Sequence, residues 1–141
     1  MPWAFAELLG MRPTSMGDGR ARFELDVAPN HLNPNGTVHG GVIYSLADSA
    51  MGTALFSQLD GRQWCATLEI KMNYLLPVTG GTIAAEATVI SRTQRIGVLE
   101  AEGFRRWRPP GGARHRHVLH PACAGSRIVR RGGESDVIGV E

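Results

Sequence analysis

Six residues able to hold or activate a small electrophile fall within eighteen positions: His31, Asn33, His39, Gly40, Gly41 and Asp48. Gly40 and Gly41 open a run of helical spacing, where the first backbone N–H groups of a helix lack intrahelical partners. Such donors, backed by the helix dipole, can hold an oxygen that gains negative charge during a reaction. Glycine also lets a ligand approach the main chain closely. An ordinary glycine-rich helix start would read the same way. Asp48 is the only acid between Asp26 and Asp60 and lies on a helix that is otherwise nearly uncharged. A carboxylate there suits a general base for water or a nucleophile toward an acyl carbon; a solvent-facing flank is the plainer reading. Asn33 and His39 either donate and accept beside the helix start, or simply shape a turn and cap the helix.

Spacing bears on how such a site is assembled. Gly40 and Asp48 are eight residues apart, a rise of about 12 Å along a helix. An oxyanion donor and a base acting on one carbonyl must each lie about 3 Å from the reacting group. If both are catalytic, they come from two copies of the chain.

The elements that must carry these groups follow from hydrophobic periodicity. Val42, Ile43, Leu46, Ala47, Ala50, Met51, Ala54 and Leu55 recur at three and four, predicting a helix of about four turns with a wide apolar face. Phe5, Leu8 and Leu9, closed by Gly10, predict a short N-terminal helix. Arg22 to Val27 alternates polar and apolar as a half-buried strand does. The stretch from Pro29 to Gly36 is too rich in turn formers for regular structure. Thr67 to Leu75 is expected as a strand with Leu68, Ile70, Met72 and Tyr74 on one face. Thr82 to Arg92 and Ile96 to Phe104 complete the strand series. One covered helix followed by antiparallel strands is an α+β arrangement, and a curved sheet would bury the helix most fully.

Composition sets the outer bounds. A chain of 141 residues forms one domain with a real core. Its two cysteines, Cys65 and Cys123, have no metal-ligand spacing, so reduced thiols in a cytoplasm are expected. No run reaches the roughly 18 apolar residues of a membrane span, and residues 1–9 lack a basic leader region. The net charge of +2 divides unevenly, with seven basic and ten acidic residues up to Gly103 and eight against three from Phe104. The basic tail has no aromatic interleaving beyond Trp107, so no nucleic-acid partner is expected.

Over about residues 1–103 the chain resembles the hotdog-fold thioesterase superfamily, in particular its phenylacetate-pathway and 4-hydroxybenzoyl-CoA thioesterase branch. The matching string is His31-x-Asn33-x-x-Gly36-x-x-His39-Gly40-Gly41, followed by Ser45-Leu46-Ala47-Asp48. The pattern Thr67-x-Glu69-x-x-x-Asn73-Tyr74-x-x-Pro77 and the stretch from Arg92 to Glu102 continue it. The resemblance implies an antiparallel sheet wrapped around one long central helix, paired as a homodimer and often further as a homotetramer. It implies acyl-CoA thioesters as substrates, with no metal and no cofactor beyond the substrate's own coenzyme A. By position it makes Asp48 the catalytic carboxylate and the Gly40 amide the group that polarises the thioester carbonyl. Gly41 supports the helix start, Asn33 and His39 orient water or thioester, and Thr67 helps place the attacking water. Arg92 and Arg95 become candidates for coenzyme A phosphates, or else solvated strand ends. A non-catalytic acyl-CoA-binding hotdog domain and a hotdog hydratase or dehydratase are the alternatives.

From Phe104 onward the family pattern stops, and arginine, histidine and proline density rise. Permitted codons for Phe104 to Ala122, read one base further on, encode a turn and a family-style strand ending Gly-Thr-Ala-Thr-Phe-Tyr-Ile-Leu-Pro. The hypothesis that this third is out of frame expects residues 105–141 to be mostly irregular, with Val118 and Leu119 at best a poor substitute strand. Resequencing the gene decides the reading frame.

Overall fold

A computed structural model describes residues 3–107 and 115–130. Helix α1 spans Ala4–Leu8, and strands β1 (Met11–Gly17) and β2 (Arg20–Asp26) follow as a hairpin. A single 3-10 turn at Pro29–His31 leads through the loop to helix α2, Gly40–Phe56. Strands β3 (Gln63–Met72), β4 (Thr82–Arg92), β5 (Ile96–Trp107) and β6 (His115–Arg130) complete the order. All six join one sheet in the order β1-β2-β4-β5-β6-β3, and every neighbouring pair is antiparallel.

The sheet exists to cover α2. All eight residues of its apolar stripe are buried, and they meet Phe23 and Leu25 of β2, Ile83 and Ala87 of β4, and Leu99 of β5. Burying a leucine-sized side chain is worth about 1.5–3 kcal/mol, so this stripe dominates the stability of the chain. Small residues let strand and helix approach: a Cβ on Gly97 of β5 would lie 2.9 Å from both δ-carbons of Leu55. The outer face carries charge instead, where Arg22 bonds Glu24 at 2.8 Å and also reaches Glu86 across the β2–β4 pair.

Three elements depart from the periodicity reading. β1 was not expected: Pro13 and a register shift between Pro13 and Ser15 break its alternation, and only Met11 is buried. Both features are tolerated because β1 is an edge strand. In β3 the register shifts between Thr67 and Glu69, leaving Leu68 exposed, and the strand ends at Met72. The expected single face of Leu68, Ile70, Met72 and Tyr74 is therefore corrected. The phase changes at the bulge, Ile70 and Met72 pack toward the core, and Tyr74 sits in the following loop.

The third departure concerns the expected irregular C-terminal stretch. The backbone of residues 115–130 forms β6 between β5 and β3, with Val118 opposite Phe104. The open edge of β5 pairs with residues 115–127 and that of β3 with residues 122–130, and a ladder needs no side-chain alternation to form. Pro121, which has no N–H to donate, falls one position beyond the end of the β3 ladder at Ala122–Met72. Residues 108–114 and 131–141 lie outside the described residues.

Leu46 is 1% exposed at the centre of the buried stripe. Leu46→Ala is expected to lower unfolding free energy by about 2–5 kcal/mol, read from urea unfolding. A loss below about 1 kcal/mol would show that the helix face is not the core.

Candidate active site

The loop before α2 is held by its own side chains. The Asn33 carboxamide oxygen accepts from the Asn35 and Thr37 N–H groups, and its nitrogen donates to the Thr37 hydroxyl at 2.8 Å. Gly36 turns the chain at φ +74°, a conformation that favours glycine. His31 is buried, its Nδ1 accepts from the Ala28 N–H, and its carbonyl accepts from the His39 N–H. His39 is the N-cap of α2: its Nδ1 accepts from the Gly41 N–H at 2.9 Å. With Nδ1 accepting, a neutral His39 ring carries its proton on Nε2. Asn33 thus shapes the turn and His39 caps the helix, with His39 Nε2 left to face a ligand.

The Gly40 N–H differs from its neighbours. Among the described residues it has no hydrogen-bond partner, as befits the first helical position. The adjoining peptide is held on both sides, because Gly41 N–H donates to His39 and the Gly40 carbonyl accepts from the Tyr74 hydroxyl at 3.1 Å.

Asp48 is half-buried, and the Thr67 hydroxyl donates to its Oδ1 at 2.6 Å within the same chain. The second rung between α2 and β3 runs from the Cys65 thiol to the Gly52 carbonyl at 3.6 Å. The two rungs match because four helical residues rise about 6 Å while two strand residues advance about 6.6 Å. Asp48 and Thr67 both line a cleft of about 640 Å³ formed by α1, α2 and β3, with Met16 of β1. Its other walls are mostly apolar and include Trp3, Phe5, Met16, Phe56 and Trp64. Gly52 lines it with open space where a Cβ would stand. Cys65 also faces the cleft, but burial pushes its thiol up and the Asp48 carboxylate adds to the rise, so it is a poor nucleophile near neutral pH. Among the described residues no three His, Cys, Asp or Glu groups cluster to hold a metal ion.

The predicted residues therefore fall into three groups. Asn33, His39, Gly40 and Gly41 come together at the helix start, and Asp48 with Thr67 two turns away. Arg92 donates to the Gln58 carbonyl and to Gln63 Oε1 at 3.4 Å within this chain. Arg95 is exposed in the turn between β4 and β5. Tyr74, Cys65 and the cleft wall were not read as site residues. Their relevance comes from tertiary approach, which no local spacing encodes.

A buried helix inside an antiparallel sheet, with an acid and a glycine helix start on it, defines a class. The thioesterase superfamily model matches residues 35–107, just over half of the chain, and the chain belongs to that superfamily with its hotdog fold. It is 34% identical over 100 residues to the acyl-coenzyme A thioesterase PaaI of Escherichia coli, covering 70% of this chain and 69% of that protein. It is 37% identical over 86 residues to an Archaeoglobus fulgidus protein named only provisionally as an esterase, covering 60% of this chain. The match spans 54% of that relative's length. Among solved structures, a conserved protein of Pseudomonas aeruginosa superposes with a TM-score of 0.78 at 32% identity, covering 92% of this chain and 96% of that one. The E. coli PaaI protein of the phenylacetic acid degradation operon gives 0.76 at 27% identity, over 92% and 86%. Among the described residues no helix is long and apolar enough to cross a membrane.

The Cys65 environment gives a chemical test of this geometry. At pH 8 Cys65 is expected to alkylate with iodoacetamide more slowly than an unperturbed thiol, because its raised titration leaves less thiolate. Asp48→Asn removes the neighbouring charge and should speed the reaction, as followed by peptide mass spectrometry. An unchanged rate would place the carboxylate away from the thiol.

Proposed function

We propose that this chain hydrolyses acyl-CoA thioesters to free acid and coenzyme A at a site shared by two copies. The observation that carries the reading is Asp48, its carboxylate held by the Thr67 hydroxyl where both line an apolar cleft. Supporting it are the unpartnered Gly40 N–H and membership of the thioesterase superfamily.

In this reading the acyl chain enters the cleft and the thioester carbonyl reaches Asp48 of one copy. Gly40 N–H of the second copy donates to the carbonyl oxygen and stabilises the charge it gains. Asp48 either takes a proton from water as it attacks, or attacks the acyl carbon itself. Either way the C–S bond breaks, water supplies the new oxygen, and coenzyme A leaves as the thiol. Thr67 orients the carboxylate, and Gly41 with His39 keeps the helix start in register. Arg95 contributes to binding coenzyme A phosphates, in keeping with its exposed turn. No metal or separate cofactor takes part, and the reaction belongs in the cytoplasm.

Two copies are supported by more than the 12 Å rise between Gly40 and Asp48. Strand β3 forms one edge of the sheet, and Trp64, Leu68, Leu75 and Leu76 on it and just beyond are exposed. Apolar surface beside an open strand edge favours pairing of copies, as a homodimer and then a homotetramer.

Acyl-CoAs assayed by thiol release test the reading. Aryl or medium-chain thioesters should exceed acetyl-CoA in kcat/KM by about tenfold or more, since the cleft rewards apolar area. Asp48→Asn should lower kcat by about 10²–10⁴-fold. Full hydrolysis by that variant removes Asp48 from the mechanism, and no turnover of any acyl-CoA by the unaltered chain removes the reading.

A further inference from the structure

The Gly40–Gly41 peptide needs restraint from outside. Two consecutive glycines at a helix start have wider backbone freedom than any other residue pair there, and an amide that wanders cannot be aimed at one oxygen. His39 Nδ1 holds one side of this peptide through the Gly41 N–H. The other side is held by a residue 34 positions away, Tyr74, in the loop after β3. Its hydroxyl donates to the Gly40 carbonyl at 3.1 Å. Its ring also stands against the glycine: a Cβ on Gly40 would meet Tyr74 Cζ at 3.3 Å and Cε1 at 3.4 Å.

We propose that Tyr74 is a positioning residue for hydrolysis: by holding the Gly40 carbonyl and walling the Gly40 Cα, it restricts the Gly40 torsions and thereby the direction of the N–H in the preceding peptide. The inference rests on the acyl-CoA hydrolysis reading above. Tyr74 touches no reacting atom in this role. Burial pushes its phenol up and Tyr44 adds to this, so the hydroxyl remains a protonated donor through the neutral range. The same contact gives Gly40 a second requirement for glycine besides access of the substrate, since a side chain there would displace the ring. It also couples β3 to the helix start at the place where the strand leaves the sheet.

Tyr74→Phe in the full chain removes the donor and keeps the ring, and Tyr74→Ala removes both. The expected result for Tyr74→Phe is a kcat about three- to tenfold lower, the usual scale of one neutral hydrogen bond, with KM and thermal midpoint unchanged. Tyr74→Ala should lose more, and the Gly40 and Gly41 amide resonances should move in both variants. A purely structural role would instead lower the thermal midpoint and leave kcat per folded molecule intact. An unchanged kcat in Tyr74→Phe, or unmoved glycine amides, overturns the inference. If the unaltered chain turns over no acyl-CoA, the hydrolysis reading fails by itself, and the amide resonances still decide whether Tyr74 holds the turn.

Discussion

A rigid helix fixes the distance between the two groups that the proposed reaction uses. α2 carries the Gly40 amide at its first residue and Asp48 two turns later, and nothing short of unfolding it brings them together. The helix is kept whole by its apolar stripe, which the sheet covers from one side. The remaining side, with Asp48, Ser49, Gly52 and Phe56, faces the cleft. The interaction that stabilises the fold thus also forces catalysis, if it uses both groups, into the space between two copies.

The polar parts of the site are arranged around that constraint. Thr67 and Cys65 reach α2 from alternate positions of β3, upstream of the bulge at Leu68. Without the bulge the strand would keep one phase and could not present Thr67 to Asp48 while packing Ile70 and Met72 on the core. Downstream, the chain leaves the sheet at Met72, which frees Tyr74 to return to the helix start. One irregular strand therefore supports both the carboxylate and the amide.

Much of this was legible in the sequence, and the reasons are specific. The eight apolar positions of α2 were readable because a covered helix shows its period directly, and all eight are buried. β4 was readable as Thr82–Arg92 because a Gly80-Gly81 turn precedes it and its threonine-, valine- and isoleucine-rich run favours a strand. β1 was hidden because an edge strand is free to be polar and to hold Pro13. The Leu68 bulge was hidden because an inserted residue leaves composition unchanged. β6 was hidden because its backbone pairing is dictated by β5 and β3, not by its own arginine- and histidine-rich pattern. Within the site, the motif marked the helix start, Asp48 and Thr67, while the hydrogen bonds that Asn33 and His39 Nδ1 make within the loop could not be read from spacing. The hold of Tyr74 on Gly40 spans 34 positions and becomes visible only in three dimensions.

The claim that two copies complete one site is tested most directly by complementation. Gly40→Pro removes the N–H and its ring also pushes on Tyr74, so both changes disable the same copy's helix start, while the backbone suits the first helical position because His39 before it is already extended at φ −60° and ψ 135°. Asp48→Asn removes the carboxylate. Each variant alone should be nearly inactive. Co-expressed in equal amounts, they should recover about a quarter of the unaltered turnover, because half the dimers are mixed and each mixed dimer has one whole site. No recovery in mixed dimers isolated with two different tags would contradict a shared site.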